Sequence, residues 1–242
     1  MYEKSIDIYG DGIGHVDYVN HMGDDLTVVN SARVSFGVEK EELDARDRRL
    51  INYLIKHKHT STLEHNLITF RFSVPMYVRS QHHRHRTWSY NEISRRYTDV
   101  NIKFYEPKEF RTQHKSNRQA SNAEELINPQ IISGQDPFNH GAPYFDPVSK
   151  VIRAHHGDSL GLFNRLIEAG VCREQARGVL PQNLYTEYYG TVNLSNLLKF
   201  IDLRTHEGAQ WEIQKVAEAC LEIATDLFPV TVGAYCRIRG EE

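Results

Sequence analysis

The sequence contains no run of about 18 consecutive apolar residues, so it spells no membrane-crossing helix. Its first residues, Met1-Tyr2-Glu3-Lys4-Ser5-Ile6-Asp7, lack the apolar stretch of a secretory signal. Cysteine is scarce. Cys172, Cys220 and Cys236 are scattered and odd in number, with no CxxC pair and no histidine at zinc spacing. That pattern argues against a disulfide framework and against a metal site, and it suits a reducing, cytoplasmic setting. An excess of positive charge is also missing: 29 Lys and Arg stand against 32 Asp and Glu, a formal net charge of −3. The chain as a whole is therefore no electrostatic match for nucleic acid.

What is present is enough for one well-filled domain, with 242 residues of which 40% are hydrophobic. Ser5 to Tyr9 and Ile13 to Val19 read as short strands around a glycine-rich turn. Asp25 to Val34 fits a helix or a strand. Glu41 to Lys58 reads as a helix with Leu43, Leu50, Leu54 and Ile55 on one face. Leu67 to Val74 alternates as a strand, and Pro75 then suits the first position of a helix over Met76 to His85. Further helices are expected over Asp158 to Ala169, Cys172 to Val179, Ser195 to Leu203 and Ala209 to Leu227, the last closed by Pro229. Leu184 to Val192 is a strand candidate. The 108–150 stretch is polar and rich in Asn, Gln, Ser, Gly and Pro, and reads as a surface insertion or long loop. Strands and helices without strict alternation predict an α+β fold, a mixed sheet flanked by helices, in a single domain over 1–242 carrying that insertion.

The densest chemistry lies between Arg79 and Arg96. Five arginines (Arg79, Arg84, Arg86, Arg95, Arg96) and three histidines (His82, His83, His85) face one acid, Glu92. Burying several guanidiniums without matching anions is prohibitive, and a merely solvated face favours Lys and Glu over Arg. The planar fork of Arg suits phosphate or carboxylate. The cluster thus points to a local anion site such as a nucleotide phosphate. Two other readings stay open on composition: a nucleic-acid module with Trp88, Tyr90 and Tyr97 as stacking platforms, and a structural oligomer without catalysis.

Arg84-His85-Arg86, two variable residues, Ser89, one variable, Asn91-Glu92, one variable, Ser94, one variable, Arg96-Tyr97 resembles the motif of the flavin-dependent thymidylate synthases. His59-Thr60-Ser61-Thr62-Leu63-Glu64-His65 is similar to that family's upstream segment. Ala176-Arg177-Gly178-Val179-Leu180-Pro181, Thr191-Val192-Asn193, Leu203-Arg204 and Ala209-Gln210-Trp211-Glu212-Ile213 are similar to its C-terminal segments. The likeness covers most of the chain outside Lys108 to Lys150.

The resemblance implies a homotetramer with active sites shared between subunits, each holding FAD and dUMP, with 5,10-methylenetetrahydrofolate as carbon donor and NADPH as reductant. It implies FAD contacts from Arg84, His85, Arg86, Glu92, Asn193, Leu194 and Ser195, and from Ser61 of a neighbouring subunit. Lys199, among the implied FAD contacts, stands where the family carries Asn or His facing the cofactor. For dUMP, it implies Gln81, His82, His83 and Arg84 from one subunit, and Glu92, Ile93, Ser94, Arg95 and Arg96 from another. Arg177 and Arg204 complete that site. Arg204 matches the residue that binds the uracil and favours loss of its N3 proton; read alone, it would be a helix C-terminal charge. None of the cysteines has the Pro-Cys-His setting of the conventional synthase, and Ser94 has no evident general base, so it is assigned to binding.

Overall fold

The computed structural model describes residues 3–136 and 141–241. They fall into two compact units interleaved along the chain: Met1–Ser73, Gln81–Glu92 and Glu187–Glu242 form the first, Val74–Ser80 and Ile93–Thr186 the second.

The first unit is built on strands β1 (Ser5–Asp7), β2 (His15–Met22), β3 (Leu67–Pro75), β4 (Ser89–Glu92) and β9 (Tyr185–Asn193), ordered β1-β2-β3-β9-β4. The pairs β1–β2, β2–β3 and β4–β9 are antiparallel. Alternation along β3 buries Ile68, Phe70 and Phe72 completely, as the period of two in Leu67 to Val74 requires. The α+β class read from the sequence is the class observed.

Helices α1 (Asp25–Arg33), α2 (Ala45–Lys56), α6 (Leu194–Arg204), α7 (Trp211–Leu227) and α8 (Pro229–Glu241) complete this unit. The ambiguous Asp25 to Val34 segment is a helix because Asp24 and Thr27 form a capping box at its start. The helix expected from Glu41 begins at Ala45 instead. Asp44 caps it, its side chain accepting from the backbone of Arg46 and Asp47. Asp47 is itself buried and is held by Arg33 at 2.6 Å and Lys40 at 2.5 Å. α2 ends on a Schellman motif: Lys58 takes a left-handed conformation (φ 56°), with His59 N–H bonded to Leu54 O at 2.8 Å.

Pro229 does close α7, but the chain resumes at once as α8, which the sequence reading missed. Its cap lies 205 residues away: the buried Asp25 carboxylate accepts from Val230 N at 2.9 Å and Thr231 N at 2.8 Å. Pro229 sits where its missing N–H costs nothing.

The second unit holds α4 (Val148–Glu168), α5 (Arg173–Ala176), a short 3-10 turn at Arg177–Val179, and two antiparallel hairpins: β5 (Phe110–Gln113) with β6 (Ser121–Ile127), and β7 (Gln130–Gln135) with β8 (Pro143–Pro147). The 108–150 stretch is thus paired strands and the first turn of α4 in its described part, rather than an unstructured loop. α4 also starts ten residues before the expected Asp158. Its first half carries His156, whose Nδ1 lies 2.7 Å from Glu106 and whose Nε2 accepts from Asn183 at 2.6 Å. These long-range bonds hold a glycine-containing segment (Gly157) helical where propensity alone is poor. The helix expected over Met76 to His85 is shorter, α3 (Met76–His82). Among the described residues no helix is long and apolar enough to cross a membrane.

Candidate active site

The basic segment leaves α3 through tight turns into β4, and an aromatic cage fixes its position. The His82 ring is fully buried. It meets Trp88 edge-on at 4.5 Å, Phe200 at 4.7 Å and Phe72 at 4.8 Å, while its Nδ1 lies 2.9 Å from Tyr188 Oη. Gly190 in β9 makes this packing possible. A Cβ there would meet Phe72 at 2.9 Å and Trp88 at 3.2 Å. Burial, and then the nearby His85, His83 and Arg204, push the His82 pKa well below the usual histidine range, so the ring is neutral. Trp88 is 5% exposed, which removes it as a platform for nucleic-acid bases.

At the edge of the cage stands a hydrogen-bonded chain that reaches solvent. Arg204, the last residue of α6, donates from Nε to His85 Nε2 at 3.0 Å and from Nη2 to Gln81 O at 3.4 Å. His85 accepts at Nε2, so its proton sits on Nδ1. Burial, with Arg204 adding to it, pushes the His85 pKa down to about 4. Arg204 is half-buried, and burial lowers its own pKa. Its partners are neutral, and no carboxylate pairs with it among the described residues. Gln81 donates from Nε2 to Gln210 Oε1, and Gln210 donates from Nε2 to the buried Glu212 at 2.9 Å. His83 lies against Tyr90, with ring centroids 4.1 Å apart, and the Tyr90 hydroxyl donates to the backbone oxygens of His82 and His85. Arg84 and Arg86 are exposed, and Glu92 ends β4 half-buried.

The start of α6 forms a second feature of this unit. Asn193 caps the helix, accepting from Asn196 N at 2.9 Å. Leu194 is fully buried. Ser195 is buried too, and its Oγ has no partner. Ser195 and the exposed Lys199 line a pocket of about 250 Å³, together with Lys58, His59, Thr60 and Arg239, whose Nε lies 3.4 Å from Asp202 in the same lining. An orphaned buried hydroxyl in a pocket that Lys58 and Lys199 also line suits a phosphate- or hydroxyl-bearing ligand. Ser61 is exposed in the adjoining 3-10 turn.

The remaining predicted residues belong to the second unit. Arg95 donates to Val100 O at 2.6 Å, and Arg96 pairs with Glu174 at 3.4 Å. The Ser94 hydroxyl accepts from Arg96 N at 3.3 Å, and among the described residues no histidine or carboxylate bonds to it as a base. Ile93 is half-buried, and Arg177 is exposed in the 3-10 turn. The first unit therefore gathers Gln81, His82, His83, His85 and Arg204 at one place, and Asn193, Leu194, Ser195 and Lys199 at the start of α6. Two groups lacked an assigned role in the sequence. Gln210 and Glu212 lie in the recognised Ala209-Gln210-Trp211-Glu212-Ile213 segment, whose spacing gave no hint of a partner at Gln81. Glu106, His156 and Asn183 come from three distant stretches with no local signal.

The chain matches the family described as "Thymidylate synthase complementing protein" over residues 17–230. The flavin-dependent thymidylate synthase of Thermus thermophilus is 40% identical over 222 residues, spanning 92% of this chain and 75% of that protein. The flavin-dependent thymidylate synthase of Thermotoga neapolitana is 38% identical over 224 residues, 93% of this chain and 91% of its own. Among solved structures, the UMP/dUMP methylase PolB from Streptomyces cacaoi bound with 5-Br dUMP superimposes with a TM-score of 0.74 at 33% identity, covering 92% of this chain and 94% of that one.

Proposed function

Because the chain belongs to the flavin-dependent thymidylate synthase family and is an enzyme of that class, we propose that it methylates dUMP to dTMP with FAD as cofactor, 5,10-methylenetetrahydrofolate as carbon donor and NADPH as reductant. The observation that carries this reading is Arg204, a half-buried guanidinium held, among the described residues, by the neutral His85 and the Gln81 backbone carbonyl. A cation held in this way is poised for an anion that arrives with substrate. A guanidinium stays protonated at working pH, so Arg204 stabilises negative charge on the uracil as N3 loses its proton and does not itself take that proton. His85 stays neutral near pH 7 and orients Arg204 without repelling it.

When bound, FAD supplies hydride transfer from the reductant to the one-carbon unit. Ser195, Asn193, Leu194 and Lys199 hold it at the start of α6, with Arg84, His85, Arg86 and Glu92 adding polar contacts and Ser61 reaching it from a neighbouring copy. The orphaned Ser195 hydroxyl, in a pocket that Lys58 and Lys199 also line, supports that placement. dUMP is held by Gln81, His83 and Arg84 of one copy and by Glu92, Ile93, Ser94, Arg95 and Arg96 of another, with Arg177 as a further cation, in a homotetramer. His82 serves this site from inside the cage, by fixing the backbone that carries its neighbours. Cys220 is buried and its pKa is driven up, so it is no thiolate nucleophile, and the proposed homotetramer works in the cytoplasm.

The test is an absorbance spectrum of the purified protein with and without dUMP, followed by Arg204→Ala. We expect a flavin band that dUMP perturbs. In Arg204→Ala the rate of dTMP formation at saturating dUMP should fall by far more than the loss of dUMP affinity, with flavin retained. An unchanged saturated rate would leave Arg204 as a binding residue only, and a protein that takes up no flavin would end the reading.

A further inference from the structure

We infer that Gln210 and Glu212 are positioning residues that lock the side-chain amide of Gln81, so that its oxygen is the hydrogen-bond acceptor shown to the nucleotide. The inference rests on the placement of Gln81 against dUMP proposed above.

The direction of the chain follows from its buried end. A carboxylate can only accept, so Gln210 must turn its NH₂ toward Glu212, and it does so at 2.9 Å. Its oxygen then faces Gln81, which must offer its own NH₂. The Gln81 oxygen is left over, with no partner among the described residues. Gln210 is the residue before α7 and makes no side-chain cap bond there, so its amide is committed to this chain. Arg204 fixes the main chain beneath it by donating to the Gln81 backbone carbonyl at 3.4 Å. Glu212 is 3% exposed, so water does not compete for its carboxylate.

A free glutamine can rotate its amide and present a donor or an acceptor to whatever binds. A locked one discriminates. The phosphate and carbonyl oxygens of dUMP only accept; its donors are N3–H and the 3′-hydroxyl. The fixed Gln81 oxygen therefore takes one of those two donors. Two analogues tell them apart: dCMP lacks N3–H, and 2′,3′-dideoxyuridine monophosphate lacks the 3′-hydroxyl.

The experiment measures the affinities of the flavin-loaded enzyme for dUMP and both analogues in the parent and in Gln81→Met, Gln210→Met and Glu212→Gln. The parent should prefer dUMP over at least one analogue. Gln81→Met and Gln210→Met should each lose roughly ten-fold of that preference, the size expected when a polar group is left wrongly paired. Glu212→Gln keeps the shape of the side chain but is no longer acceptor-only, so the chain can run in either direction. It should lose several-fold of the same preference, an effect on selectivity that a purely structural role would not produce. If Gln81→Met loses the preference while Gln210→Met and Glu212→Gln both keep it, the positioning role is overturned and the placement of Gln81 stands. If Gln81→Met keeps it, that placement fails and the inference with it. Should Gln210→Met fold poorly, the isosteric Glu212→Gln decides alone.

Discussion

The 81–92 segment and the hairpins between Phe110 and Pro147 use their large side chains in opposite ways. In the first, His82 and Trp88 are sunk among Phe70, Phe72, Tyr188 and Phe200, and the polar residues between and beside them, Arg84 and Arg86 among them, reach the surface. In the second, Leu126, Ile132, Tyr144 and Phe145 are each about half exposed or more, and Ile132 sits opposite Phe145 on a two-stranded ribbon. A two-stranded hairpin owes little stability to itself. The polar groups at the proposed active site are thus held by a close-packed core, which fixes His85 and Gln81 before any ligand arrives. The hairpins can vary without moving them.

The largest effect expected from this contrast is on folding. Phe200 touches His82, His85 and Trp88, with ring centroids at 4.7, 4.9 and 5.4 Å. Phe200→Ala should cost about 3–5 kcal/mol through lost burial and the cavity left behind, measured by denaturant unfolding. A cost below about 1 kcal/mol would mean that the cage is not a packed core. Gly190→Ala tests the same core from the other direction. Its methyl group would press on Phe72 and Trp88, for a cost of about 1–3 kcal/mol.

A smaller effect is set by pH. The folded pKa values of His82 and His85 lie below the ordinary histidine value, by burial first. Below about pH 6.5 the unfolded chain therefore binds more protons than the folded one. Their contribution is fully present above that pH and is lost as pH falls toward 4, where His85 titrates in the folded state. Denaturation midpoints should be insensitive to these groups above pH 6.5 and drop below it, and His85→Gln should flatten the drop. Equal slopes in parent and variant would contradict the neutral His85–Arg204 bond.

The same contrast explains what the sequence made legible. Local signals carried the fold well: β3 by its alternation, the end of α7 by Pro229, and the Pro75 boundary by backbone chemistry. The Arg84 to Tyr97 motif pointed to the site because its residue types are hard to explain as core or as plain surface. What escaped depends on partners distant in sequence. α8 is capped by Asp25, the first half of α4 is held by Glu106 and Asn183, and Gln210 acquires meaning only beside Gln81. His82 was legible as part of the motif, but its burial was not, because the rings that enclose it come from β3, β9 and α6. Polarity marked 108–150 as a surface region and concealed its strand pairing, since exposed strands need no apolar alternation.

The smallest effect is expected on the hairpins, and it is the one that most directly tests the comparison. Ile132 is 63% exposed, and its cross-strand neighbour Phe145 is 57% exposed. Ile132→Thr keeps a β-branched side chain and so preserves strand preference while removing apolar surface. Little of that surface is buried within the chain, so the change in stability should stay within about 0.5 kcal/mol. Flavin binding and the saturated rate of dTMP formation should be unaltered. Unfolding, flavin absorbance and light scattering on one preparation separate the outcomes. If Ile132→Thr shifts the unfolding midpoint as much as Gly190→Ala does, the ribbon belongs to a packed surface after all. If the midpoint holds but the scattering mass drops, that surface lies between copies of the chain, and the hairpins contribute to assembly where the cage contributes to chemistry.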